Sequence, residues 1–313
     1  MTTFELIRPW LETAGVLGLG AAGFALGRCI ARLRAPWWAA GYVLPLAVIA
    51  MITAARRLPE LQFDPTFAWL MHARTEFAAF GVACAALFGT LFPRLPGKRM
   101  QALVGTFMVL VIMAYSVYPF LLPAALRGQL RRLRTTIGEG GVCRQSLAYT
   151  CGPAAAVTAL RKLGIPAREG ELAILSYTNP MSGTEPDLLA AALRRRYPKT
   201  GIRFEYRSFT SVAELRRAGL VLALVRMSLL SDHYVAVLEV TDDQVKVGDP
   251  NAGLRWLSHD EFERSWKRCG VVVIPPDRPG PTGAAAHHGR AGRQSPTAAV
   301  LSSNRRAVSA NPS

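Results

Sequence analysis

Four side chains beyond residue 140 of this 313-residue chain have the types and the order needed for covalent acyl chemistry: Gln145, Cys151, His233 and Asp249. Cys151 closes the stretch Gln145-Ser-Leu-Ala-Tyr-Thr-Cys151-Gly-Pro, which runs straight into a helix-forming segment from Ala154. A cysteine at a helix N-terminus faces the positive end of the helix dipole and unpaired backbone N–H groups, and both favour the nucleophilic thiolate. His233 opens an apolar strand-like run, and Asp249 ends the next one, sixteen residues later. If those runs form a hairpin, Asp249 comes beside His233 and fixes its tautomer, which completes the roles of nucleophile, base and orienting group. Gln145 stands six residues before the cysteine. Its side-chain amide, with the Cys151 backbone N–H, can form an oxyanion hole. Taken singly, a strand histidine, an Asp-Pro turn and a polar glutamine are ordinary structural features. Four such residues in this order are much harder to obtain by chance.

The elements that must hold these residues lie between about Gly138 and Pro275. A glycine-rich turn opens the segment, and Ala154–Leu163 reads as a helix closed by Gly164 and Pro166. A second helix is expected at Glu169–Leu175, and a third to about Arg196, with Thr184 as its N-cap. Strand-like runs follow at Arg203–Tyr206, Leu220–Met227, His233–Val240 and Gln244–Val247, then a short helix at Ser258–Trp266 and a last strand at Gly270–Ile274. Helices first and strands afterwards predict an α+β domain with a largely antiparallel sheet.

The first 126 residues are of another kind. Apolar runs at Thr13–Ile30, Trp37–Ala55, Phe77–Phe92 and Ala102–Leu122 predict about four membrane spans. Trp37, Trp38, Tyr115 and Tyr118 suit the head-group level. A soluble bundle would need a polar stripe, which Val104–Leu122 lacks, and a cleaved signal peptide does not end in arginines. The expected organisation is therefore a transmembrane helical bundle at 1–126, a basic linker at 127–137, an α+β domain at 138–275 and a disordered tail at 276–313. The balance of basic loops favours both termini, and with them the α+β domain, on the cytoplasmic side of a bacterial inner membrane.

Composition excludes several other classes. The net charge of +16 sits in loops beside apolar runs and in the tail, with no nucleic-acid-binding motif, so it reads as membrane flank rather than an RNA or DNA footprint. The five cysteines form neither a disulfide framework nor a zinc pattern, and neither a metal nor another cofactor is expected. Cys143, eight residues before Cys151, is either a buried wall residue or a resolving thiol.

The segment from about Gly141 to Ile274 resembles the bacteriocin-processing, double-glycine-leader peptidases of the papain-like clan, cysteine peptidase family thirty-nine. The resemblance is carried by Gln145-x5-Cys151-Gly-Pro, Gly183-Thr184, His233-Tyr-Val, Asp249-Pro-x-x-Gly253 and Ser258-x-x-Glu261-Phe262-x-x-x-Trp266. It implies Gln145 as the oxyanion residue, Cys151 as nucleophile, His233 as general base and acid, and Asp249 as orienting group. A peptide or protein substrate follows from it, and processing of a peptide precursor is one use. In the best-known members the domain precedes a transporter membrane unit and an ATPase; here it follows the apolar runs, and no GxxxxGK[ST] loop is present. Any transporter would be a separate partner. A non-cleaving peptide-binding module and an acyl-transfer enzyme on the same fold are the competing readings.

Overall fold

The computed structural model describes residues 3–228 and 231–276, so nearly all of the expected tail lies outside the described residues. The bundle consists of α1 (Thr3–Ile30), α2 (Ala40–Arg57), the short α3 (Pro59–Phe63) and α4 (Pro65–Met71), α5 (Thr75–Leu91), and α6 (Gly97–Ile112), which passes through a π-turn at Met113–Val117 into α7 (Tyr118–Ala125). Among the described residues, four stretches are long and apolar enough to cross a membrane: Ile7–Ile30, Trp37–Arg57, Thr75–Arg94 and Gly97–Ala125. The helices run past the apolar windows because backbone hydrogen bonding does not stop at the first charged side chain. Arg56, at the end of α2, is held by Glu76 of α5 at 2.5 Å.

Helix α5 is the centre of the bundle and packs against α1, α2 and α6. Glycine makes the α1–α5 contact possible. A Cβ on Gly23 would sit 2.8 Å from the Val82 carbonyl oxygen, and one on Gly27 or Gly89 would collide with the backbone of Ala86 or Phe24. Gly23 and Gly27 form a G-x-x-x-G pair, the pattern that lets two helix backbones approach closely where dispersion must replace the hydrophobic effect.

The second half begins with α8 (Arg127–Arg131), the two-residue strands β1 (Thr136–Ile137) and β2 (Cys143–Arg144), α9 (Cys151–Lys162), α10 (Glu169–Leu175) and α11 (Pro186–Arg196). Then follow β3 (Arg203–Ser208), α12 (Val212–Ala218), β4 (Val221–Arg226), β5 (Asp232–Val240), β6 (Gln244–Asp249), β7 (Gly253–Ser258), α13 (His259–Ser265) and β8 (Trp266–Ile274). Strands β3 to β8 make one antiparallel sheet of order β3-β8-β4-β5-β6-β7. Side chains alternate across it. Leu222, Tyr234, Ala236 and Val271 join the buried cluster beneath α9 and α11. Val221, Val235, Val237 and Val272 join the opposite cluster, closed by Leu215 of α12 and Phe262 of α13. The α+β antiparallel architecture expected from element order is the one formed.

Local differences have local causes. The N-cap of α11 is Glu185, not Thr184. Thr184 is buried, and its hydroxyl pairs with that of Thr178 at 2.7 Å instead of capping the helix. Residues 127–137, expected as a linker, carry α8 and β1, and Leu130 is fully buried, its carbonyl so close to Gly170 that no Cβ fits there. His72, alone in its loop by sequence, lies with Nδ1 3.2 Å from Asp187 at the start of α11.

That last contact belongs to a seam between the bundle and the sheet domain. The Ala73 backbone N–H donates to Asp187 at 2.6 Å, the Tyr206 hydroxyl donates to Gln62 at 2.9 Å, and the Phe63 and Tyr206 rings stack at 4.9 Å. Arg74 is buried at the same seam, paired with Glu12, donating to the Pro119 carbonyl, and lying over the rings of Phe120 and Tyr177.

Both buried clusters of the domain are built from residues after Arg132, and among the described residues only Phe63 packs against one of them from the bundle. A fragment starting at Arg127 is therefore expected to fold and melt cooperatively, a few degrees below the full chain because Tyr206, Asp187 and Tyr177 lose their partners. Circular dichroism with thermal melts checks this. A fragment without a cooperative transition, beside a folded full chain in detergent, would make the bundle part of the domain's core.

Candidate active site

Cys151 is the first residue of α9, and no side chain caps that turn. The obvious candidate, Thr150, spends its hydroxyl on the preceding turn, donating to the Leu147 carbonyl at 2.9 Å and accepting the Leu147 N–H at 3.1 Å. The helix start is thus left for the thiol and for any anion formed beside it. A Cβ on Gly152 would lie 3.0 Å from Thr184 Cβ, so the absent side chain admits the 176–184 loop against the helix. The Thr184 carbonyl in turn accepts the Tyr234 hydroxyl at 3.0 Å. This chain of contacts ties the residue after the cysteine to the residue after the histidine.

His233 lies at the start of β5, opposite Val225 of β4. Ala236 pairs with Gly248 of β6, so Asp249, one residue further, falls diagonally across from His233. The result is a contact of 2.8 Å between His233 Nε2 and Asp249 Oδ1. Cys151 lies near enough to His233 to act on its charge, and it favours the protonated ring. Burial works against a charge on the imidazole, but the hydrogen bond to Asp249 and the influence of Cys151 more than offset it, and His233 is pushed up to about 9. Burial likewise raises Asp249, but the His233 bond and the backbone N–H groups of Asn251 and Ala252 outweigh it and hold the carboxyl below its ordinary range. An imidazolium between a carboxylate and a sulfur is the arrangement in which a thiolate is kept ready and a proton is held for a leaving group.

Gln145 reaches the site along a separate route. Its backbone N–H donates to the Pro250 carbonyl at 3.1 Å, which fastens it to the Asp249-Pro250 turn. Its Nε2 donates to the Leu147 carbonyl at 3.0 Å, and Oε1 is buried without a partner. An amide nitrogen carries two hydrogens, so one donor remains beyond the bond to Leu147. Glu169 supports the loop from below. It is fully buried and accepts from the Ser146 N–H at 2.8 Å and the Ser146 hydroxyl at 2.6 Å.

All four residues singled out by sequence therefore belong to one region, where three loops meet the N-terminus of α9. Sequence reasoning did not single out Gly152, Tyr234 or Glu169 as supports. Gly152 and Tyr234 each adjoin a chemical residue and carried that signal; Glu169 carried none, since an acidic residue in the first turn of a helix is ordinarily solvated. Cys143 is fully buried under α9, its N–H bonded to Thr158 Oγ1 at 2.9 Å, and burial with nearby Glu169 pushes its thiol up to about 12. It is a core residue with a free thiol. No group of three or more His, Cys, Asp or Glu able to hold a metal ion occurs among the described residues.

A cavity of about 350 Å³ lies at the seam with the bundle, lined by Glu185, Asp187, Tyr206, Leu224, Asp232 and Lys267 among others. Glu185 and Asp232 are the chain neighbours of Thr184 and His233. Burial, followed by the charges of Glu76 and others, outweighs Arg56 and pushes Glu185 up to about 8.

The model of the peptidase C39 family matches residues 141–278. An uncharacterized protein of Methanothermobacter marburgensis is 34% identical over 141 residues, covering 45% of this chain and 93% of that protein. A second, from Methanothermobacter thermautotrophicus, is 28% identical over 144 residues, covering 46% and 95%. Similar solved structures include the peptidase domain of Streptococcus ComA, a bi-functional ABC transporter, with 20% identity, a TM-score of 0.38 and coverage of 42% of this chain and 96% of that one. Another is a double glycine motif protease from an AMS/PCAT transporter in complex with its leader peptide, with 17% identity, a TM-score of 0.36 and coverage of 46% and 95%. Through residues 141–278 the chain belongs to the peptidase C39 family and is a cysteine peptidase.

Proposed function

We propose that Cys151, His233, Asp249 and Gln145 carry out peptide-bond hydrolysis, and that the chain processes a peptide precursor at a membrane surface. The observation that carries the assignment is the 2.8 Å His233–Asp249 contact set beside a cysteine on an uncapped helix start. In this reading the Cys151 sulfur attacks the scissile carbonyl carbon, and the carbonyl electron pair moves to oxygen. The remaining Gln145 amide hydrogen and the Cys151 backbone N–H receive that oxyanion. His233 passes its proton to the leaving amine as the C–N bond breaks, leaving a thioester. It then takes a proton from water, which attacks the thioester and frees the thiolate. Asp249 keeps the imidazole oriented throughout.

A double-glycine leader is the substrate class that family membership favours, and a separate transporter would be the partner receiving the product. We assign residues 138–275 to the catalytic fold and the four apolar stretches to insertion in the membrane. Because α1 begins and α2 ends on the side of the seam, the peptidase domain shares its side of the membrane with the N-terminus. The basic residues there, Arg8, Arg56, Arg57, Arg74 and those after α7, favour the cytoplasmic face.

Labelling of the full chain with an epoxide or chloromethyl-ketone probe should mark Cys151, and Cys151→Ala should lose both the label and hydrolysis. His233→Ala should lose hydrolysis to a similar degree, because both groups act in one bond-making step. Substantial turnover by folded Cys151→Ala would end the assignment. Gln145→Ala should lower turnover on the order of a hundredfold, as removal of one oxyanion donor does, and Asp249→Asn should cost less than loss of the nucleophile. An unchanged Gln145→Ala would remove that residue from the oxyanion hole and leave the other three in place.

The raised His233 value gives a pH prediction with a definite sign. Its folded value near 9 lies above the ordinary 6.5, so the stability from its charged form is present in full below pH 6.5 and lost as pH rises through about 9. Histidine ring NMR should show one ring titrating near 9. Asp249→Asn should bring it down and flatten the part of the melting-temperature decline due to this pair. A ring that titrates at its ordinary value in the wild type would show that the imidazolium is not held by Asp249 and Cys151.

A further inference from the structure

A second cavity, of about 550 Å³, lies on the bundle side of the seam. Its apolar part is made by three of the candidate spans. Phe77 and Phe80 of α5 form the floor, Ile52 of α2 makes one wall, and Val111 and Tyr115 of the α6 segment make the other. Tyr115 is largely exposed and its ring lies 6.0 Å from that of Phe80. The volume is many times the roughly 30 Å³ that one water takes up in the liquid, and walls of this kind suit a hydrocarbon chain rather than ordered water.

The mouth is cationic. Arg56 is paired with Glu76 at 2.5 Å and Lys267 with Asp232 at 2.6 Å, so those charges are answered within the protein. Arg57, the last residue of the second span, and Arg226, the last residue of β4, have no ion-pair or hydrogen-bond partner for their side chains among the described residues, and both line the cavity. A guanidinium at the end of a membrane span lies at head-group depth, where phosphates of anionic lipids are the available counter-charge. Paired with an apolar trough descending between α2 and α6, two unanswered arginines make a site with a polar and an oily end. We propose that this groove binds an anionic phospholipid of the surrounding bilayer, with its phosphate between Arg57 and Arg226 and an acyl chain over Phe77 and Phe80.

The position gives such a lipid a consequence. Arg56, Glu76, Asp232 and Lys267 line both this groove and the first cavity at the seam, and Asp232 is the residue before His233. A lipid seated here fills the gap between the second and fourth spans and braces the ends of β4 and β5 that carry His233.

The test uses the full chain purified in a neutral detergent, with thermal melts in the presence of phosphatidylglycerol or phosphatidylcholine and native mass spectrometry to count retained lipids. Phosphatidylglycerol is expected to raise the melting temperature by about 5 °C over phosphatidylcholine, the size of shift a ligand well above its dissociation constant produces in a domain of this size. It should also be retained in preference. Free glycerol 3-phosphate at the same concentration should give no shift, since it lacks the chain. The double variant Arg57→Gln/Arg226→Gln should lose the difference between the two lipids. Should that variant not fold, Val111→Trp, which fills the trough from one wall, should abolish retention without touching a charge. Equal shifts with both lipids, a full shift with glycerol 3-phosphate, or unaltered retention by Val111→Trp would each overturn the proposal.

Discussion

The contact between Gly152 and Thr184 is the constraint on which the site depends. A nucleophile on a helix and a base on a strand must meet to within a hydrogen bond, and each belongs to an element packed by its own buried face. What sets their relation is the 176–184 loop lying between them. It touches the first turn of α9 because residue 152 has no side chain, and it bonds β5 because the Thr184 carbonyl accepts the Tyr234 hydroxyl. The loop is itself stiffened by a run of buried hydroxyls, Ser176 to Thr178 at 3.0 Å and Thr178 to Thr184 at 2.7 Å. A larger residue at 152 would have to push that loop away, and the error would be transmitted to Tyr234 and so to its neighbour His233. In a site where a displacement of about 1 Å can cost a hundredfold in rate, such a support matters as much as the reacting groups.

Around this contact the molecule uses two kinds of packing. In the sheet domain, alternation, shifted by a bulge in β5, sends one set of side chains under α9 and α11 and the other under α12 and α13, so apolar area removed from water does the stabilising. In the bundle, Gly23, Gly27 and Gly89 allow α1 and α5 to come close enough for dense van der Waals contact, the packing that serves helices whose outer faces are apolar. The seam between the two regions combines the Phe63–Tyr206 ring contact with directed contacts, Ala73 to Asp187, Tyr206 to Gln62 and the Arg74 guanidinium over the Tyr177 ring.

The difference explains what could be read from the sequence. The residues of the site were legible because each stands where a local pattern changes: Cys151 where a loop becomes a helix, His233 where a strand starts, and Asp249 where one stops at a proline. The four candidate spans were legible because each is a long apolar run. The helix α12 was also there to be found, since Ser211 and Glu214 form a capping pair, with the Ser211 hydroxyl accepting the Glu214 N–H at 3.3 Å. Strand β7 left less trace, because on the edge of the sheet Leu254, Arg255 and Trp256 are all exposed and no alternation marks it. The seam left none. Asp187 and His72 are more than a hundred residues apart, and nothing local distinguishes an aspartate that meets a loop of the bundle from one that faces water.

The seam also bears on how the bundle relates to catalysis. Asp187 sits in the first turn of α11, and the same turn begins two residues after Thr184. Its carboxylate is held by the Ala73 N–H and by His72, both in the loop between α4 and α5. The end of α11 that carries Thr184 against Gly152 is therefore fastened on its far side to the membrane-type bundle. Lys267 likewise joins Asp232, the residue before His233, to the Arg56 carbonyl at the end of α2. Both fastenings line the same cavity at the seam. A domain that completes its own core can fold without them, but the spacing between α11 and the start of β5 is the quantity they control, and it is the same spacing that the Gly152–Thr184–Tyr234 contacts span. Through these contacts the bundle bears on the candidate site by position, since Gln145, Cys151, His233 and Asp249 all follow it in the chain.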